Sequence, residues 1–187
     1  MLVMKKSSLS FMVGCLFTLS AARAQSDYSG VYLTPGDFLA GKICAVSKIS
    51  DEDLLSCRRV VVDAGGAERK LDKKDIYAVR CRDGAVVRIY KAGNYPVLNP
   101  GERILIYRVV QYPAGKGDWT KIRYYFSKDA GSDITELTME NVRAAFQDNH
   151  KFDEAVDAEF RSDKDLYAYD NLHKCYKLDR VYAATQD

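Results

Sequence analysis

Residues 76–91 have the sequence IYAVRCRDGAVVRIYK, in which two runs rich in β-branched and aromatic residues flank Asp83-Gly84. An Asp-Gly pair between two such runs is a strong short-range signal for a β-hairpin. A two-residue turn at this pair would place Val79 opposite Arg88. The central part of the chain is therefore predicted to be antiparallel sheet.

Further strands are predicted on both sides of this hairpin. Residues 43–49 and 57–62 form short apolar runs, and residues 103–111 and 119–127 form a second hairpin. In the first strand of that second hairpin, apolar side chains occur on both faces. A sheet that is covered on both sides, or one that is curled into a barrel-like shape, explains such a pattern.

The pattern changes from strands to helices near residue 131. Thr138 is a suitable N-cap for a first helix, and Phe152, Val156 and Phe160 share one face of a second. A third helix is predicted to follow Ser162, with its apolar stripe running as far as residue 176. Residues 177–184 are predicted to form a last strand or a tail. The predicted fold class is α+β: an antiparallel sheet, strongly curved in one alternative, followed by two or three C-terminal helices.

The composition is that of a globular protein. The chain has 187 residues, of which 47% are hydrophobic and 29% are charged. This excludes a disordered tail, a collagen and a coiled coil. Residues 25–187 are long enough for one hydrophobic core and are predicted to form a single domain.

Residues 1–24 have the features of a secretory signal peptide. Lys5 and Lys6 precede a short apolar run, which ends in the small-x-small triplet Ala22-Arg23-Ala24. Cleavage is expected between Ala24 and Gln25, and the protein is expected to be periplasmic or secreted. The apolar run is too short to span a membrane, which takes about 20 residues. No later segment of the sequence is apolar enough to do so.

An alternative for export is a lipoprotein. The sequence Met12-Val13-Gly14-Cys15 is similar to a bacterial lipobox, in which the cysteine becomes the lipidated first residue.

Removal of residues 1–24 would leave 25 basic and 26 acidic residues, a net charge of −1. Without a basic excess, nucleic acid is not expected as a partner.

The cysteines agree with an oxidising compartment. Without Cys15, an even number remains, and exported proteins commonly pair such cysteines. The preferred pairing is Cys44 with Cys57 and Cys81 with Cys175, the second of which would tie a C-terminal helix to the sheet. Four free thiols are the alternative.

Three segments near the C-terminus resemble those of small exported proteins from Bacteroidetes, a group without an established activity. These segments are FQDNHKF (146–152), DAEFRSD (157–163) and YDNLHKCYK (169–177). An N-terminal Gly30-Val31-Tyr32, followed by Asp37-Phe38 and Gly41-Lys42, is also similar. The resemblance implies export and supplies no catalytic or binding residue.

Two histidines are the candidates for catalysis. His150 lies close to Asp148, and Asp170 lies three residues before His173, a spacing that allows the carboxylate to orient the imidazole on a helix. A small hydrolase or a metal-dependent enzyme would use these four residues. No spaced metal-ligand or phosphate-loop motif occurs in the sequence, so neither a metal nor a cofactor is predicted. Helix capping and ordinary surface positions are the simpler explanation for them.

The many tyrosines and the strand arginines favour a binding face. The chain has 13 Tyr, and arginines occur throughout the predicted strands (Arg80, Arg82, Arg88, Arg108, Arg123). Aromatic rings beside guanidinium groups suit a glycan or a protein ligand, although strand tyrosines are also common at the border of a core. The sequence therefore favours an exported, non-catalytic binding protein over an enzyme.

Overall fold

The computed structural model describes residues 29–46, 55–56, 59–63, 67–112 and 120–186. The fold is α+β, as the sequence predicts, and the expected signal peptide lies outside the described residues together with Cys15, Ala24 and Gln25. The strands of the large sheet are β1 Gly30–Tyr32, β2 Cys44–Ala45, β3 Arg59–Asp63, β4 Glu68–Asp72, β5 Ala78–Arg80, β6 Val86–Tyr90, β7 Gly93–Val97, β8 Leu105–Gln111, β9 Lys121–Ser127 and β10 Thr135–Glu136. A separate two-stranded hairpin consists of β11 Tyr169–Asp170 and β12 Cys175–Tyr176. The α-helices of the described residues include α1 Pro35–Leu39, α2 Met139–Ala145, α3 His150–Glu159, α4 Asp163–Leu166 and α5 Lys177–Ala184.

The large sheet has the strand order β10-β9-β8-β7-β6-β5-β1-β2-β3-β4 and is not closed into a barrel. Every pair of described neighbouring strands is antiparallel. Strands β5 to β10 follow one another in sequence order. β1 is inserted between β5 and β2, so the first described strand lies inside the sheet.

The hairpin at Asp83-Gly84 forms, but its register differs from the prediction by one residue. Arg88 lies opposite Ala78 rather than Val79. The turn has three residues, because the Cys81 amide donates to the Ala85 carbonyl and the Gly84 amide donates to the Cys81 carbonyl. Gly84 has a φ of +87°, as expected for a three-residue loop that ends in a left-handed residue.

The two sides of the sheet carry different cores. On one side, Ile104, Ile106 and Phe126 pack under the C-terminal helices, and further along Val31, Val79 and Val87 pack with β3 and β4. The other side, which we call the inner face, carries Tyr32, Ala78, Val86, Leu105 and Tyr107. The C-terminal helices therefore cover one side of the sheet at β8 and β9.

The predicted helix starts at Thr138 and Ser162 are confirmed. The Thr138 hydroxyl accepts a hydrogen bond from the Asn141 amide, and Ser162 forms a capping box with Asp165. Phe152, Val156 and Phe160 are buried on α3 and just after it. The long third helix is wrong, since α4 ends at Leu166 and β11 and β12 follow. The strand or tail at 177–184 is also wrong, because these residues form α5.

No two described cysteines have sulfur atoms at bonding distance. The predicted Cys81–Cys175 disulfide is not formed, because Cys81 packs among the aliphatic side chains near β1 whereas Cys175 lies in β12, beside the helices. Cys57 lies outside the described residues, so its pairing with Cys44 stays a prediction. Among the described residues, no helix has both the length and the apolar character needed to cross a membrane.

Candidate functional site

A buried arginine lies at the centre of the inner face. Arg88 belongs to β6, and its side chain is only 4% exposed. The three-residue turn decides this position, because the observed register places Arg88 on the same side of the sheet as Ala78. The cation is therefore directed into the layer that also contains Tyr107 and Leu105.

Neutral oxygen atoms surround the guanidinium group. Nη1 of Arg88 donates to the Tyr107 hydroxyl at 2.8 Å and to the Ser127 hydroxyl at 3.1 Å. Nη2 donates to the Ser132 carbonyl at 2.8 Å. The Arg88 side chain thus connects β6 to β8, to β9 and to the loop that follows β9. No carboxylate of the described residues forms an ion pair with Arg88.

The loop after β9 is shaped to supply these acceptors. The Asp129 carboxylate accepts hydrogen bonds from the Gly131 and Ser132 amides and from the Ser132 hydroxyl. Burial raises the pKa of Asp129, but these hydrogen bonds outweigh it and the net pKa lies below the usual value. The resulting turn directs the Ala130 carbonyl to the Tyr77 hydroxyl, at 2.8 Å, and the Ser132 carbonyl to Arg88.

Tyrosine rings cover the arginine. The Arg88 guanidinium carbon lies 5.0 Å from the ring centroid of Tyr77 and 5.5 Å from that of Tyr90. Tyr95 has an edge-on arrangement with three other rings, at centroid distances between 5.5 and 6.2 Å. We use the name tyrosine face for the following set: Tyr77, Tyr90, Tyr95, Tyr107 and Tyr125.

The hydroxyls of Tyr77, Tyr107 and Tyr125 remain protonated over the physiological pH range. Burial raises the pKa of Tyr77, Tyr107 and Tyr125 above the ordinary value, and the Arg88 charge offsets only part of this effect for the first two. Tyr77, Tyr90, Tyr95 and Tyr125 are only partly buried, so part of each residue is in contact with solvent, although the Tyr90 hydroxyl is not. The surface therefore combines flat rings, neutral hydroxyl groups and an underlying positive charge.

The predicted contact between Asp170 and His173 is present, although not on a helix. Nδ1 of His173 lies 2.8 Å from Asp170, and the same carboxylate accepts from the Leu172 and His173 amides. The hydrogen bond from the His173 ring, followed by that from its amide, lowers the pKa of Asp170 to about 2. Asp170 is the last residue of β11, and His173 lies in the exposed turn between β11 and β12. There the carboxylate stabilises the turn.

The other two candidates lie elsewhere. His150 is the first residue of α3 and is exposed, and the N-cap of that helix is Asn149, as the capping explanation anticipates. Asp148 is exposed in the connection before it. Within the part of the chain that the structure describes, no three His, Cys, Asp or Glu side chains come close enough to hold a metal ion. The structure therefore does not gather the four candidates into one site.

Sequence reasoning missed a buried polar contact between Asn99 and Asp179. The Asn99 amide donates to the Asp179 carboxylate at 2.7 Å, and both residues are buried. The signal was weak but present, because Asp179 stands between apolar residues of one helix, with Leu178 on one side and Val181 and Tyr182 following. An acid in such a position requires a buried partner.

No protein-family model matches this sequence, and comparison with curated proteins and with solved structures finds no match. The functional assignment therefore depends on the side chains themselves.

Proposed function

We propose that this protein is an exported, non-catalytic binding protein whose tyrosine face binds a glycan. The observation that carries this proposal is the buried Arg88 cation, covered by tyrosine rings and paired only with neutral oxygen atoms. A buried arginine usually lies beside a carboxylate. Here no carboxylate of the described residues pairs with the positive charge, which therefore remains able to attract an electron-rich ligand.

A glycan fits the chemistry of this surface better than a protein ligand does. The C–H faces of sugar rings pack on tyrosine rings, while sugar hydroxyl groups exchange hydrogen bonds with neutral tyrosine hydroxyls. An acidic sugar would also gain from the Arg88 charge. The partly buried Tyr95 contacts three neighbouring rings and is therefore held in place before any ligand arrives.

The sequence supports export. Residues 1–24 have the basic, apolar and small-residue order of a secretory signal peptide, and the resemblance to small exported proteins of Bacteroidetes agrees with it. A periplasmic or extracellular protein meets envelope and secreted polysaccharides. We expect the protein recovered from the producing cells to begin at Gln25 when its N-terminus is determined by mass spectrometry. An intact Met1 or a lipidated Cys15 would contradict this.

Binding is tested by calorimetric titration with neutral oligosaccharides and with oligosaccharides that contain uronic acids. Tyr95→Ala is expected to weaken binding at least tenfold, since it removes the central ring of the tyrosine face. Tyr112→Ala is the matched control, because Tyr112 is 80% exposed just after β8 and has no ring contact with a described residue. The control variant is expected to bind as the native protein does.

Two results would overturn the proposal. One is the absence of binding to every sugar at millimolar concentration. The other is equal affinity of the native protein and the Tyr95→Ala variant for a sugar that does bind. Binding of a peptide or protein that depends on Tyr95, without any sugar binding, would replace the glycan by a protein ligand.

A further inference from the structure

A separate cleft of about 440 Å³ opens between α1, the turn from β5 to β6 and the loop after β7. Its volume is within the range of small-molecule sites. Tyr32, Phe38 and Val86 provide its apolar lining, and Leu39, which is 66% exposed, lies at its border. We call it the α1 cleft.

Two opposite charges line the α1 cleft. Arg80 comes from β5, and Glu102 comes from the loop before β8. Neither side chain forms an ion pair or a hydrogen bond with any described residue, and the two do not pair with each other. An unpaired cation and an unpaired anion therefore border the same space.

The wall formed by α1 is fixed at both ends of the helix. At its start, Thr34 and Asp37 form a capping box, in which each side chain accepts from the backbone amide of the other. At its end, the Gly41 amide donates to the Phe38 carbonyl and the Lys42 amide donates to the Asp37 carbonyl. This is a Schellman motif, and Gly41 supplies the left-handed residue with a φ of +65°.

The opposite wall is fixed by a buried side chain. Asn99 donates from Nδ2 to the Ile104 carbonyl and to the Asp179 carboxylate, and its Oδ1 accepts from the Ile106 amide, each at 2.7 Å. The Glu102 amide in turn donates to the Asn99 carbonyl at 3.1 Å. The backbone that carries Glu102 is thus held in position without a ligand, which reduces the entropy lost on binding.

We propose that the α1 cleft binds a small zwitterion with an apolar side chain, of the class of short peptides. Arg80 would bind the carboxylate, for which a planar guanidinium is the best-matched partner, and Glu102 would bind the ammonium group. The apolar lining would accept the side chain. This site goes beyond the proposed function, because it is lined by a different set of residues from the tyrosine face.

The test uses three related probes with the purified protein: the dipeptide Gly-Leu, its N-acetyl form and its C-terminal amide. The native protein is expected to bind the free dipeptide at least tenfold more tightly than either blocked form in a calorimetric titration. Arg80→Gln should bind the dipeptide and its amide equally, whereas Glu102→Gln should bind the dipeptide and its acetyl form equally. Each variant thus loses discrimination at one end of the peptide only.

Controls separate this result from unfolding and from the proposed glycan function. Arg108→Gln, an exposed arginine on β8, and Tyr95→Ala should both bind the dipeptide as the native protein does. Glu102 is exposed, so Glu102→Gln alone decides the outcome if Arg80→Gln does not fold. Equal binding of all three probes by the native protein, or no binding at millimolar concentration, would overturn the proposal.

Discussion

Asp179 keeps a carboxyl group in the interior, where it is 6% exposed. Burial raises its pKa to about 7, against the hydrogen bond from Asn99, and the negative charge of Glu102 adds to the increase. A protonated Asp179 is therefore favoured by folding. In the unfolded chain the same group has an ordinary pKa near 4.

We expect the free energy of unfolding to fall as the pH rises from about 4 to about 7. The reason is that the raised pKa stabilises the folded state in acid, and this contribution is lost as Asp179 ionises. Asp179→Asn should be more stable than the native protein at pH 8, by on the order of 2 kcal/mol, and should lack this pH dependence. Urea denaturation at pH 5 and pH 8 measures both.

Asp148→Asn is the control for this experiment, because Asp148 is exposed. It should keep the pH dependence of the native protein. The same slope in Asp179→Asn as in the native protein would show that another group is responsible.

Gly84 is required by the turn between β5 and β6. Its φ of +87° lies in the left-handed region, where a side chain clashes with the backbone. Gly84→Ala should lower the free energy of unfolding by about 1–2 kcal/mol, measured by urea denaturation. Gly101→Ala should change it by less than about 0.5 kcal/mol, since its added Cβ meets no atom within 4 Å. Equal losses in both variants would exclude the turn as the cause.

The turn between β5 and β6 also shows how much of the structure a short local motif can predict. Asp83-Gly84 indicates the hairpin correctly, but it fits two turn lengths, and each length places Arg88 on a different side of the sheet. The sequence therefore places Arg88 among the arginines of a binding face but does not show what surrounds its side chain. The Asp129 loop that completes those surroundings comes from more than 40 positions further along the chain, beyond the reach of local patterns.

Among the elements, α3 connects the helices to one another. Phe152 is fully buried, with ring centroids of Phe146 at 4.8 Å and Tyr182 of α5 at 5.2 Å. Phe152→Ala should cost about 3–5 kcal/mol, because it leaves a cavity between three elements. Thermal and urea unfolding measure this loss.

Leu172→Ala serves as the comparison, since Leu172 is 84% exposed in the turn between β11 and β12. Its effect should stay within about 0.5 kcal/mol. A small loss for Phe152→Ala would mean that α3 is not part of the cooperative core.

Helix starts were predictable because a cap lies within four residues of the helix it begins. The Thr138 side chain accepts from the Asn141 amide, and the Asp165 side chain accepts from the Ser162 amide, so the sequence contains everything needed. The end of α4 was not predictable from the sequence, because the apolar spacing continues to Tyr176. After α4 ends at Leu166, the Asp170 carboxylate accepts two amides of the turn between β11 and β12, in which Lys174 has a φ of +57°.

At the scale of the whole molecule, the sheet is open and has two edges. β10 has only two residues, whereas β4 is longer and carries exposed charged side chains at Glu68, Arg69 and Lys70. Charged residues on an edge strand prevent its free amides and carbonyls from pairing with another chain. The charges on β4 therefore have a role in keeping molecules apart.

A variant with Arg69→Val and Lys70→Val should associate with increasing concentration, as measured by light scattering after size-exclusion chromatography. A control with Arg161→Val and Lys164→Val makes the same exchanges at two exposed residues beside and in α4, outside the sheet. We expect the control to remain at the native mass. Association of both variants to the same extent would attribute the effect to hydrophobicity alone.

The overall class was predictable, and the strand order was not. Alternation identified the β8–β9 hairpin, because its strands are close in sequence and bury different side chains on each side. The insertion of β1 between β5 and β2 does not produce a local sequence pattern. Val31 of β1 pairs with Cys44 on one side and with Val79 on the other, and Val79 lies much further along the chain than Cys44 does.

That insertion has a consequence for the order in which the molecule assembles. During synthesis, Gly30–Tyr32 is translated well before Ala78–Arg80. The strand β1 therefore cannot pair with β5 until that later segment has been made. Until it docks, the ribbon of β2 to β4 and the meander of β5 to β10 have no shared ladder. Within the described part of the chain, the three residues Gly30–Tyr32 thus provide the backbone hydrogen bonds between these two groups of strands.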